Sequence, residues 1–134
     1  MPQPFVQHAA FLVEDSPLIR DNLILAMQEV ADTHVVACAA SEAEAAAWLT
    51  AHPHAWQLAV IDMFLKEGSG LGVLRVCMAR QPGQRCVVLT NYADVDIRNQ
   101  CLALGADAVF DKSTELDAFL DFCCAVSVDG RPVH

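Results

Sequence analysis

The chain alternates between two hydrophobic rhythms. Short and almost wholly apolar runs, Phe11-Leu12-Val13, Leu58-Ala59-Val60-Ile61, Val87-Val88-Leu89 and Ala108-Val109-Phe110, have the pattern of strands covered on both faces. Between them, apolar residues recur at helical spacing. Ser16 is a good N-cap with Pro17 at the first helical position, and Ile19, Leu23, Ala26, Met27 and Val30 predict a first helix to about residue 30. Thr33 to Ala39 is β-branched and apolar and predicts a second strand. Ser41 and Glu44 form a capping box for an alanine-rich helix through Trp48 and Leu49, closed by His52-Pro53-His54. Gln57 to Asp62 predicts strand three, and the loop Lys66 to Gly70 leads into a helix carrying Leu71, Leu74, Cys77 and Met78, closed by Gln81-Pro82-Gly83. Arg85 to Thr90 predicts strand four. A helix from about Ala93 to Leu104 follows, with Ile97, Cys101 and Leu104 on one face and Gly105 as its stop. Ala106 to Phe110 predicts strand five, and Ser113 or Thr114 caps a last helix with Leu116, Phe119, Leu120 and Cys123 as its buried stripe. Met1 to Gln7 reads as a frayed lead-in and Ser127 to His134 as a loose tail.

Five strands and five helices in strict alternation require parallel strands with right-handed crossovers. The expected fold class is therefore α/β, a doubly wound five-stranded parallel sheet of flavodoxin-like strand order 2-1-3-4-5. With 134 residues and 54% hydrophobic content, the chain is expected to form one globular domain with an ordered core over about 8–126 and no output domain.

In such a sheet every strand ends at the same edge, and here the ends are polar: Glu14-Asp15 after strand one, Asp62 after strand three, Thr90 after strand four and Lys112 just after strand five. These side chains are expected to converge, with Asp62 at the centre. Three close carboxylates repel and raise one another's pKa unless a hard cation shares them, and an all-oxygen set with few ligands suits Mg²⁺ holding several waters. A carboxylate nucleophile beside Mg²⁺, a lysine and a hydroxyl is what phosphoryl transfer to an aspartate needs. Asp62 would then become an acyl phosphate.

Charge narrows the partners. Eight Lys and Arg against seventeen Asp and Glu give a formal charge of −9, which argues against binding a nucleic-acid backbone. No apolar run approaches the ~18 residues of a membrane span and no secretory pattern opens the chain, so a soluble cytoplasmic protein is expected. The six cysteines, Cys38, Cys77, Cys86, Cys101, Cys123 and Cys124, have no C-x-x-C spacing and sit in apolar segments, so they read as reduced core residues. His52, His54 and Trp56 read as a loop after a helix, not as metal ligands.

From Phe11 to about Val126 the chain resembles the receiver domains of bacterial two-component response regulators. The resemblance rests on Glu14-Asp15, Asp62, Gly70, Thr90, Gly105-Ala106-Asp107 and Lys112 in order along the chain. It implies that Asp62 is the phosphoacceptor, taking a phosphoryl group from a phosphohistidine on a sensor histidine kinase or a histidine phosphotransfer protein. It further implies that Asp15 and Asp62 bind Mg²⁺ directly, Glu14 through water and Phe64 through its backbone carbonyl, and that Thr90 and Lys112 meet the phosphoryl oxygens. The downstream protein would read the face made by helix four, strand five and helix five. Such a domain is a stand-alone signalling switch or phosphorelay carrier and not an enzyme acting on other substrates.

Several positions depart from the family pattern. Val109 stands where a switching aromatic is usual, and Phe110 cannot replace it because neighbouring strand residues face opposite sides. Ser113 follows Lys112 where the family has a cis-proline; a non-proline cis bond costs roughly 3 kcal/mol, so a trans bond or strain is expected. Asn91 is larger than the usual residue after the threonine, and Lys66 stands where a loop proline is common. Phe64 and Tyr92, two residues past Asp62 and Thr90, are expected to shield an acyl phosphate from water. Phe122 and Val126 on the last helix are candidate partner contacts. A competing reading is a phosphorylation-independent receiver-like scaffold. An aspartyl phosphatase is disfavoured by Phe64 where its second acid belongs, and a flavin protein by Glu14-Asp15 where a phosphate cradle belongs.

Overall fold

The computed structural model describes residues 8–129, so the lead-in Met1 to Gln7 and residues 130–134 lie outside the described residues. The elements alternate as β1 (His8–Val13), α1 (Pro17–Ala31), β2 (Thr33–Ala39), α2 (Glu42–Ala51), β3 (Leu58–Ile61), α3 (Gly70–Cys77), β4 (Arg85–Thr90), α4 (Val95–Ala103), β5 (Ala108–Asp111) and α5 (Leu116–Asp129). All pairings are parallel and the sheet order is β2-β1-β3-β4-β5, as the alternation predicts.

Period-two alternation divides the strand residues between two cores. Ala10, Leu12, Leu58, Val60, Val87 and Leu89 pack with Leu23 and Met27 of α1 and Phe119, Leu120 and Cys123 of α5. Phe11, Val13, Ala59, Ile61, Cys86 and Val88 pack on the other side with Leu49 of α2, Val73 and Leu74 of α3 and Cys101 of α4. Both faces of β1, β3 and β4 are covered, which is why these strands read as continuous apolar runs.

Capping follows the sequence in most places and is rearranged in others. Ser16 Oγ accepts from Ile19 N, and Asp32 closes α1 in the left-handed region at φ 51°. Ser41 Oγ accepts from Glu44 N, but Glu44 Oε1 returns to Ala40 N and not to Ser41 N, so the box is displaced by one residue. Gly105, at φ 93°, ends the α4 turn as expected. Asp94 caps α4, which begins at Val95 and not at Ala93. Neither Ser113 nor Thr114 caps α5: the Asp111 carboxylate accepts from Ser113 N, Ser113 Oγ and Thr114 N, folding 112–114 into a turn before the helix starts at Leu116.

Other expectations are corrected by burial. Val30, Met78 and Leu116 are exposed although each shares a helical stripe, because those stripes are narrower than the spacing suggests. Val126 is core and not a partner contact, and Phe122 packs on Phe110 at 5.8 Å. The backbone of α5 continues to Asp129, past the start of the supposed tail. Cys38 is exposed on the edge strand β2 and Cys124 is half-buried; the other four thiols are core. Trp56 is buried, and His52 stacks on Trp48, which stacks on Phe11.

Phe119 is wholly buried and meets Phe110 edge-on at 6.1 Å. Phe119→Ala is expected to destabilise the domain by about 3–5 kcal/mol, read as a lower urea midpoint at unchanged slope.

Candidate functional site

The carboxyl ends of β1, β3, β4 and β5 bring the polar strand ends together. Backbone ladders continue one residue past three of these strands: Asp62 N donates to Val13 O at 3.0 Å and Glu14 N to Ala39 O at 3.0 Å. Lys112 N donates to Thr90 O at 2.9 Å. Glu14, Asp62 and Lys112 are therefore held by the sheet and not by a free loop.

Their side chains close on one another. Lys112 Nζ lies 2.6 Å from Glu14 Oε1 and 3.3 Å from Asp62 Oδ2, and the three side chains are 11%, 2% and 8% exposed. Glu14 Oε2 accepts from Ser16 N at 3.1 Å, so both of its oxygens are engaged. Asp15 Oδ2 accepts from Lys66 N at 2.6 Å, and Asp62 Oδ1 from Phe64 N at 3.3 Å. Gly70 packs directly under this layer, where a β-carbon would overlap the Asp62 carbonyl oxygen. Burial pushes the Asp62 carboxyl up to about 6, against the pull of Lys112 and with the push of Glu14. Lys112 sits closer to Glu14, so its charge compensates Asp62 only in part.

Oxygens of Glu14, Asp15 and Asp62 all lie within 4.8 Å of one another. Ligands on opposite sides of an octahedral Mg²⁺ stand about 4.2 Å apart at 2.1 Å each, so this hard, all-oxygen set fits that ion with small adjustment. Glu14 has its oxygens occupied by Lys112 and Ser16, which suits it to a water-mediated place.

Thr90 is fully buried at the end of β4, and its hydroxyl accepts from Tyr92 N at 3.3 Å. Phe64 and Tyr92, 48% and 67% exposed, meet edge to face at 5.3 Å and form an aromatic rim. Val109 faces the α3 and α4 side while Phe110 faces α5, as strand alternation requires. The Lys112–Ser113 bond is trans, since no cis bond occurs among the described residues.

A match to the response regulator receiver domain family covers residues 10–122. This chain belongs to that family. Two relatives support the assignment. The chain is 33% identical over 97 residues to the DNA-binding transcriptional activator DevR/DosR of Mycobacterium tuberculosis, a match covering 72% of this chain and 43% of that protein. It is 34% identical over 104 residues to the photosynthetic apparatus regulatory protein RegA of Cereibacter sphaeroides, covering 78% of this chain and 54% of that one. The chain thus spans about half the length of these curated relatives. In fold it is similar to a LuxR-family two-component response regulator from Aurantimonas sp. SI85-9A1, with TM-score 0.80, 20% identity and coverage of 96% of this chain and 90% of that one. No helix among the described residues is long and apolar enough to cross a membrane.

The receiver carries one feature that its sequence did not announce. Arg98 of α4 donates to Ala93 O at 2.8 Å, Val109 O at 2.8 Å and Glu115 Oε1 at 2.6 Å, fastening α4 to β5 and to the start of α5. Glu115 Oε1 also accepts from Asp111 N. Nothing in the spacing of an exposed-looking arginine on a polar helix singles it out.

Asp62 titrates above the ordinary aspartate value, so its protonated form favours the folded state. That contribution is complete below about pH 4 and is lost as pH rises through about 6, and it spans on the order of 2–3 kcal/mol between the two protonation states. Carboxyl ¹³C NMR of the metal-free protein is expected to show Asp62 titrating near pH 6, moving lower when Mg²⁺ is added.

Proposed function

We propose that this receiver accepts a phosphoryl group on Asp62 from a phosphohistidine of a sensor histidine kinase or histidine phosphotransfer protein. The observation that carries the reading is the single layer of Glu14, Asp15, Asp62 and Lys112 at the sheet edge, with oxygens of three carboxylates within 4.8 Å. An Asp62 oxygen attacks phosphorus, the phosphorus–nitrogen bond breaks, and the imidazole nitrogen keeps the electron pair and is protonated from solvent. Asp15 and Asp62, with the Phe64 carbonyl, would hold Mg²⁺ directly and Glu14 through water; the ion supplies positive charge for the phosphoryl oxygens. Lys112 leaves its place between Glu14 and Asp62 to pair with a phosphoryl oxygen, and Thr90 gives up Tyr92 N to donate to another. A solved protein of the same fold, a response regulator from Burkholderia pseudomallei, carries a phosphorylated aspartic acid, which agrees with this chemistry.

The output face is formed by α4, β5 and α5. With Val109 in place of a mobile aromatic, the movement of Thr90 passes to α4 through Tyr92 and Ala93, whose carbonyl holds Arg98. The protein works as a cytoplasmic signalling domain whose partner on this face is a protein, and not as an enzyme on other substrates.

Amide NMR with Mg²⁺ and beryllofluoride tests the reading. Shifts are expected to spread from Asp62 and Thr90 into α4, β5 and α5 in wild type and to be absent in Asp62→Ala. A wild type without any Mg²⁺-dependent response would sink it in favour of a phosphorylation-independent scaffold. The aromatic rim carries a second expectation: Phe64→Asn with Tyr92→Asn shortens the aspartyl-phosphate half-life severalfold, because water reaches the phosphorus. Loss of radiolabelled phosphate at 25 °C measures it.

A further inference from the structure

The loop between β3 and α3 is held from outside the carboxylate layer by one residue of α2. Glu42 N donates to Glu67 O at 3.1 Å, and Glu42 Oε1 accepts from Ser69 N at 2.8 Å. Its side chain runs between two glycines: a β-carbon at Gly68 would overlap Glu42 Cβ, and one at Gly72 would overlap the Glu42 carboxylate. Gly68 also has φ +90°, a backbone state that disfavours a side chain. The carboxylate thus lies at the N-terminus of α3, whose N-cap is Ser69, and in the first turn of its own helix α2. Two positive helix ends share one negative charge, a favourable arrangement.

This clamp sits opposite the functional end of the same short loop. Phe64 N binds Asp62 Oδ1 and Lys66 N binds Asp15 Oδ2, so the loop's first half rests on the proposed metal ligands. Phe64 and Ser69 pair as an antiparallel bridge, and Gly70 N donates to Met63 O at 3.0 Å. A displacement of Ser69 is therefore passed across the bridge to Phe64.

We propose that Glu42 is a positioning residue for the carboxylate cluster: by holding Glu67 and Ser69 it fixes the height of the 63–69 loop over Asp62, and so the affinity of the cluster for a divalent cation. The affinity half of the inference rests on the Mg²⁺ reading above. Glu42 touches neither the ion nor the phosphoryl group. Gly68 and Gly72 are, on this account, the space the clamp requires.

The test uses Glu42→Ala, Glu42→Gln, Gly72→Ala and the Glu42→Ala/Gly72→Ala pair, with wild type and Asp62→Ala as references. Two quantities are read: amide hydrogen exchange at Phe64, Lys66 and Ser69 in the metal-free protein, and Mg²⁺ affinity by amide-shift titration. Glu42→Ala is expected to speed exchange at all three amides and to weaken Mg²⁺ binding about tenfold, as loss of an outer-shell partner does. Glu42→Gln keeps the oxygen that accepts from Ser69 N and restores both readings. Gly72→Ala reproduces the Glu42→Ala result on its own, because its methyl group expels the carboxylate, and adds nothing when Glu42 is already gone. Unchanged exchange at Phe64 and Lys66 in Glu42→Ala, beside a normal wild-type titration, would overturn the role of Glu42. Faster exchange spread evenly over α2 and α3 would overturn it too, since that is mere helix loss. A wild type that ignores Mg²⁺ would overturn the metal reading instead, while the metal-free exchange still decides the clamp.

Discussion

Lys112 is the charge on which the strand ends depend. Its ammonium group reaches back across the sheet edge to Glu14 and Asp62, residues from two other strands, and all three side chains are almost fully withdrawn from water. Two buried carboxylates without that cation would repel at short range in a medium that screens them poorly. With it, one negative charge remains uncompensated, and burial makes Asp62 the group that carries the strain in its titration. A site with surplus negative charge suits a divalent cation. The same interaction that steadies the layer is the one the proposed chemistry rearranges.

Two kinds of support hold this layer. Glu14, Asp62 and Lys112 are fastened from below by sheet hydrogen bonds that continue past the strand ends. Phe64 and Lys66 are held from above by hydrogen bonds from their backbone to Asp62 and Asp15, in a loop that Glu42 fastens at Glu67 and Ser69.

The third element of the site is its link to the α4 side. Many receivers couple through an aromatic on β5; in this chain that position is Val109, packed in the α3 and α4 core, and Phe110 is committed to Phe119 and Phe122 on the opposite face. Arg98 supplies a connection of another chemical kind, three charge-assisted hydrogen bonds that reach the β4–α4 loop, β5 and α5 together. Arg98 also holds the Glu115 carboxyl below its ordinary value, with the Asp111 N–H adding to the effect. The start of α4, β5 and the start of α5 are thus tied at a single guanidinium.

The strand order, the two-sided core and the convergence of Glu14, Asp15, Asp62 and Lys112 were legible in the chain, because periodicity fixes which residues are buried and parallel topology forces every strand end to one edge. Tertiary structure alone decided the rest. Val126 turned inward and Met78 outward because stripe width depends on the neighbouring helix, which spacing along one helix does not contain. Asp111 took over the turn that Ser113 and Thr114 were expected to cap, since a carboxylate at the end of an edge strand meets three donors at once. Glu42 and Arg98 are invisible in sequence for the same reason: each acts on residues far along the chain, and only the packing of α2 on α3 and of α4 on β5 brings donor and acceptor within reach.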